Sequence, residues 1–213
     1  MENYDYYDAV KNDVLEYIQD NEVFNDFDLE DFERLDGDAQ NYGGDLCDAL
    51  WIEDSVTGNA SGSYTFNAYD AEENLAHNMD LLQEACEDFG QDMGEAVKRG
   101  PEYCDVTIRC YLLSEVVPEV LDEIQPEFEQ FYANAIEDHI RDSIDDNVAL
   151  SPEEKQAALN SLEEKMKKYP DEIISDYNTG DLDVSDCIAD GISQMPEKES
   201  EKSIGQPEKE GAR

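Results

Sequence analysis

Residues 126–146 read PEFEQFYANAIEDHIRDSIDD, and their spacing decides the fold. Phe128, Phe131, Tyr132, Ala135, Ile136, Ile140 and Ile144 recur at the interval that gathers side chains on one face of an α-helix. Carboxylates such as Glu129, Asp138 and Asp142 fall between them, on the side left for water. An apolar stripe of this width has to be covered by other elements, because an isolated helix of this length is marginal in water. The stretch therefore predicts one helix of a helical core.

The same period recurs on either side. Residues 71–89 predict a helix through Leu75, Met79, Leu82, Cys86 and Phe89, opened by Asp70 and Glu73 in a capping-box pattern. Asp105 reads as the cap of a helix over 106–117, with a buried strand over 106–113 as the alternative and Pro118 as its end or kink. Residues 4–19 predict an amphipathic helix on Tyr7, Val10, Val14, Tyr17 and Ile18. Ser151-Pro152-Glu153-Glu154 is a helix start, with Ser151 as N-cap and Glu154 positioned to bond back, and that helix is expected to reach Lys168. One or two short helical pieces follow over 171–194, around Ile173, Ile174, Val184, Ile188 and Ile192.

Two stretches break the pattern. In 25–48, Phe27, Leu29, Phe32 and Leu35 predict a short helix, with Gly37, Gly43 and Gly44 punctuating the segment into turns. In 50–68, Leu50–Ile52 and Tyr64–Phe66 flank a Gly/Ser/Asn-rich loop and suggest a β-hairpin or an Ω-like loop. The fold class is thus mainly α, or α+β with one small β-hairpin. It divides into an acidic, mainly helical domain over 1–150, a C-terminal helical extension over 151–195 and a disordered, Pro/Glu/Lys-rich tail over 196–213.

Charge bounds the function. The chain of 213 residues carries 56 Asp and Glu against 14 Lys and Arg, a formal charge of -42. The excess is uneven, since residues 1–97 hold 27 acids against only Lys11 and Arg34. Solubility asks for a net charge of only about 2–8 in a small domain, so this excess predicts a use. Neither the N-terminal sequence MENYDYYDAV nor any later run has the apolar length of a secretory signal or a membrane span. The cysteines, Cys47, Cys86, Cys104, Cys110 and Cys187, are odd in number and widely spaced, unlike a secreted disulfide framework, so the expected location is the cytoplasm.

No chemistry of the catalytic kind is predicted. His77 and His139 stand without ligand-spaced partners, and no C-x-x-C pair or phosphate-cradling glycine motif occurs. Frames for a calcium loop starting at Asp26 and Asp181 place Asp31 and Asp186 where the turn glycine is required. With so many carboxylates, paired acids arise by chance. The expectation is a non-enzymatic protein without metal or cofactor.

A row of carboxylates on a helix has a spacing of about 5–6 Å, broadly that of phosphates, and can occupy a basic groove built for nucleic acid. The candidate partner-binding residues are Asp5, Asp8, Asp13 and Glu16 on the first helix, and Asp26, Asp28, Glu30, Asp31, Glu33, Asp36 and Asp38 in the dense cluster after it. The expected partner is a basic nucleic-acid-binding protein, with neither DNA nor membrane bound directly.

The strings LWIEDSVTGNASGSYTFNAYDAEENLAHNMDLLQEACEDFG (50–90) and CDVTIRCYLLSEVVPEVLDEI (104–124) resemble a family of small acidic proteins carried on Firmicutes mobile elements. That family is associated with anti-CRISPR inhibitors of the type II RNA-guided nuclease. The likeness covers roughly residues 4–145, has no catalytic signature and transfers no individual functional residue. It implies a phage or mobile-element nuclease inhibitor that acts on the guide-loaded enzyme in the bacterial cytoplasm. An acidic protein can oppose that enzyme's PAM-reading arginines and positively charged channels. On the charge alone, a DNA-mimic anti-restriction protein and an acidic chaperone or antitoxin-like binder stand beside it.

Overall fold

The structure, a computed structural model, describes residues 4–50 and 70–196. The regular structure among them is helical: α1 (Tyr6–Asp20), α2 (Leu29–Arg34), a 3-10 turn (Ala39–Tyr42), α3 (Gly43–Leu50), α4 (Ala71–Leu75), α5 (Met79–Asp88), α6 (Met93–Arg99), α7 (Pro101–Asp145), α8 (Pro152–Lys165), α9 (Pro170–Thr179) and α10 (Val184–Ser193).

The 45-residue α7 is the axis of the molecule. At 1.5 Å per residue it is roughly 67 Å long, and every other helix packs on it. It buries Ile108, Leu112, Val116, Val120, Phe128, Ile136, Ile140 and Ile144, and α1 to α6 and α8 to α10 pack along it. The apolar stripe of α1, Tyr6, Val10, Val14 and Ile18, is buried. After α1 the chain turns back through an aromatic cluster in which Phe24 meets Phe128 edge-on at 5.1 Å and Phe32 stacks on Tyr132 at 5.3 Å. Gln125 fastens the next turn to α7, accepting from the Ala39 amide and donating to the Gly37 carbonyl.

α8 and α10 cross closely, with Gly191 facing the backbone of Ala157. Ser151 and Glu154 form the expected reciprocal capping box at the start of α8. The helix stops at Lys165 rather than Lys168, and Lys167 and Lys168 turn to Glu164 and Asp176. The pieces foreseen over 171–194 are α9 and α10.

Several expectations are corrected. Pro118 does not end a helix: α7 runs through both Pro118 and Pro126, whose rings are on the exposed side. Each removes one backbone donor, but Val117, Val120, Leu121, Ile124 and Phe128 stay in helical phase and packing holds the axis together. The strand alternative over 106–113 is helix for the same reason. Asp105 is fully buried inside α7 rather than at its cap, and Gly100 with Pro101 starts the helix.

The single helix expected over 71–89 breaks between Leu75 and Met79, where the Asn78 side-chain Nδ2 donates to the carbonyls of Tyr4 and Asn74. Asp70 stands at the N-cap position in left-handed backbone, φ 60°, without accepting a capping hydrogen bond. Gly43 and Gly44 begin α3 instead of making turns, whereas Gly37 does turn at φ 69°. Of the suggested hairpin, Leu50 is the last residue of α3, and the rest lies outside the described residues, as does the tail from residue 197. No helix among the described residues is long and apolar enough to cross a membrane.

Candidate partner-binding surface

The structure divides the eleven candidate acids into two groups. Asp5, Asp28 and Asp38 are N-caps that accept backbone N–H groups of α1, α2 and the 3-10 turn. Asp31 completes the α2 capping box by accepting from the Asp28 amide at 3.3 Å. Asp13 is drawn inward to Arg109, 2.8 Å from Nη1. Four of these carboxylates are thus engaged in helix caps and Asp13 with Arg109, while Asp5, Asp28 and Asp38 remain exposed. The signal was present in the sequence, because an acid three residues before another at a helix start is a capping pattern.

Asp8, Glu16, Asp26, Glu30, Glu33 and Asp36 are exposed. Glu33 accepts from the Tyr177 hydroxyl at 3.2 Å, which ties α9 to α2. Asp36 is in left-handed backbone at φ 53°, in the turn that Gly37 completes. Asp26, Glu30, Glu33 and Asp36 thus ride on one compact turn–helix–turn over the aromatic cluster, while Asp8 and Glu16 lie on α1.

What makes this surface uncompensated is where the cations go. Lys11 bridges Glu119 and Glu123, Arg34 leans on Asp31 and Asp45, and Lys98 and Arg141 pair within their own helices. Lys165, Lys167 and Lys168 pair with Asp190, Glu164 and Asp176. Lys155 donates to the Asp145 carbonyl, and Arg99 lies over the Tyr103 ring. With Arg109 buried, every Lys and Arg among the described residues is already engaged.

Arg109 anchors a buried network that sequence reasoning missed by reading Asp105 as a cap. Its Nε donates to Asp105 at 2.8 Å and its Nη2 to the Tyr4 hydroxyl at 2.6 Å, while Tyr6 donates to the other Asp105 oxygen at 2.7 Å. Burial opposes the Arg109 charge, but the Asp105 hydrogen bond and charge outweigh it and hold the guanidinium protonated. Burial pushes the Asp13 carboxyl up, and the Arg109 charge offsets this only in part. Burial and the bond to Asp105 raise the Tyr6 phenol far above its usual range. The i, i+4 spacing of Asp105 and Arg109 was the available signal.

Burial disfavours the thiolate form at four of the cysteines: it raises Cys47, Cys86 and Cys104, and pushes Cys187 up to about 11. Among the described residues, no group of three or more His, Cys, Asp or Glu is gathered to hold a metal ion. No family model matches the chain, and no curated protein or solved structure matches it.

Proposed function

We propose that this protein is a non-catalytic anti-defence inhibitor that binds a basic, nucleic-acid-handling enzyme through the acids carried by α1 and the 26–36 segment. The observation that carries the reading is the exposed, uncompensated set Asp8, Glu16, Asp26, Glu30, Glu33 and Asp36, on a chain of charge -42 whose described cations are all engaged. Such a surface presents a partner with fixed negative charge at helical spacing, as a duplex does with its phosphates. The resemblance over residues 4–145 supports a guide-loaded type II CRISPR nuclease as the target.

The test combines retention of the guide-loaded nuclease on immobilised protein with a target-cleavage assay. Retention and loss of cleavage are expected, both weakening as salt rises. Normal cleavage without retention sinks the proposed target. Inhibition of a restriction enzyme with the CRISPR nuclease untouched points to restriction as the process blocked. Co-purification of one small basic protein that is not a nuclease points to an antitoxin-like role. Neutralisation should use Asp26→Asn, Glu30→Gln, Glu33→Gln and Asp36→Asn together, sparing Asp28 and Asp31, whose capping box starts α2 and whose loss would confound the result with stability.

A further inference from the structure

We propose, building on the acidic surface as a docking site, that the cleft along α7 beneath residues 22–30 seats a basic amphipathic segment of the partner. Its apolar side chains would lie on the floor of the cleft and its Arg or Lys heads on the rim. Two hollows make up this cleft. One, of about 240 Å³, lies between the end of α1 and α7 and is lined by Leu15, Val23, Phe24, Ile124 and Phe131. The other, of about 430 Å³, lies between the start of α2 and α7 and is lined by Phe27, Leu29 and Ala135. Phe24, which lines the first, and Phe27, which lines the second, are in edge contact at 5.4 Å and link the two.

Leu15, Val23, Phe27, Leu29, Ile124 and Phe131 are half-buried, so the floor keeps apolar surface toward water although the rest of these elements is packed. Around that floor the rim is acidic. Glu22 and Glu127 edge the first hollow, Asp28, Glu30 and Asp138 the second, and no Lys or Arg lines either. His139 is the one basic side chain there.

Charge complementarity selects the occupant. A second copy of this chain brings the same charge of -42 and is repelled, as is a phosphate backbone. A neutral apolar segment would strip water from the rim carboxylates without pairing them. Arg and Lys do both jobs, laying their methylene stems on apolar surface while the charged head meets a carboxylate. An Arg over the face of Phe27 or Phe131 adds cation–π attraction. Glu127 and Asp138 stand on nearly the same side of α7, about three turns or roughly 16 Å apart, which sets the spacing a helical partner would match.

The probes are two synthetic helical peptides titrated against the full chain. The first carries Arg residues three turns apart with Leu and Phe between them on the same face. The second keeps the charge and replaces Leu and Phe with Ser. The first is expected to bind at least about tenfold tighter than the second, to weaken with salt, and to shift the amide signals of Val23, Phe27, Phe131 and Ala135. Phe131→Ser should bring its affinity down to that of the control. Glu127→Lys with Asp138→Lys, two exposed positions that leave the core intact, should weaken both peptides.

Equal affinity for the two peptides, or binding by neither, overturns the cleft, and equal salt-sensitive binding does so while leaving the acidic-surface reading standing. Tight binding of the amphipathic peptide that ignores both salt and charge reversal overturns the rim assignment and the electrostatic reading of function together.

Discussion

Arg109 is 3% exposed and Asp105 is fully buried, so neither charge can be stabilised by water once the other is removed. Arg109→Met should therefore destabilise the protein by about 3–5 kcal/mol in chemical denaturation, and Asp105→Asn in the same chain should recover part of that loss. Two acids on the same seam should respond to pH with opposite signs. Burial raises the folded-state value of Asp13, so its ionisation weakens the fold as pH rises through that raised value. The hydrogen bonds from Lys11 and Tyr7 lower the value of Glu119, so its contribution is present above the ordinary carboxylate range and lost as pH falls through the lowered one. Measured against the wild type, Asp13→Asn should gain stability between pH 3 and 7, and Glu119→Gln should lose it. Equal slopes for the two variants would refute this assignment. Asp28, Asp31 and Asp38 show how a residue's role escapes composition, since a carboxylate that caps a helix and one that faces a partner are the same letter in the sequence.

The helices that sequence reasoning placed well are those whose ends carry their own chemistry. Ser151 and Glu154 satisfy each other's amides locally, so the start of α8 was legible without any partner. α7 was legible in its period but not its length, because Pro118 and Pro126 are breakers by local rule and the packing of apolar residues on both sides overrides them. The break between α4 and α5 was not legible, since Asn78 anchors the Tyr4 carbonyl from far along the chain. The crossing of α8 and α10 yields a sharp prediction. A Cβ on Gly191 would stand 2.5 Å from the Ala157 carbonyl carbon and oxygen, backbone that cannot turn aside. Gly191→Ala should cost about 1–3 kcal/mol, with hydrogen exchange rising first in α10.

Across the whole molecule, a charge of -42 works against compaction. Screening shortens from about 30 Å at 0.01 M salt to about 8 Å at 0.15 M, so the melting temperature should rise over that range. A melting temperature indifferent to salt would mean that the carboxylates are already neutralised by bound cations. The same salt that steadies the fold should weaken its binding to a basic partner, and opposite trends in the two measurements would distinguish self-repulsion from recognition. The sequence by itself determined the helical class, because apolar residues at helical spacing can be buried in no other way, and it determined the acidic excess, because charge is a property of composition. It did not determine which carboxylates cap helices and which stay exposed, or that apolar hollows lie among them. Those depend on which side chains meet across long separations: Asp13 with Arg109, Phe24 with Phe128, and the half-buried floor of Leu15, Val23, Ile124 and Phe131. Residues so far apart in sequence become neighbours only when the whole chain has packed around α7.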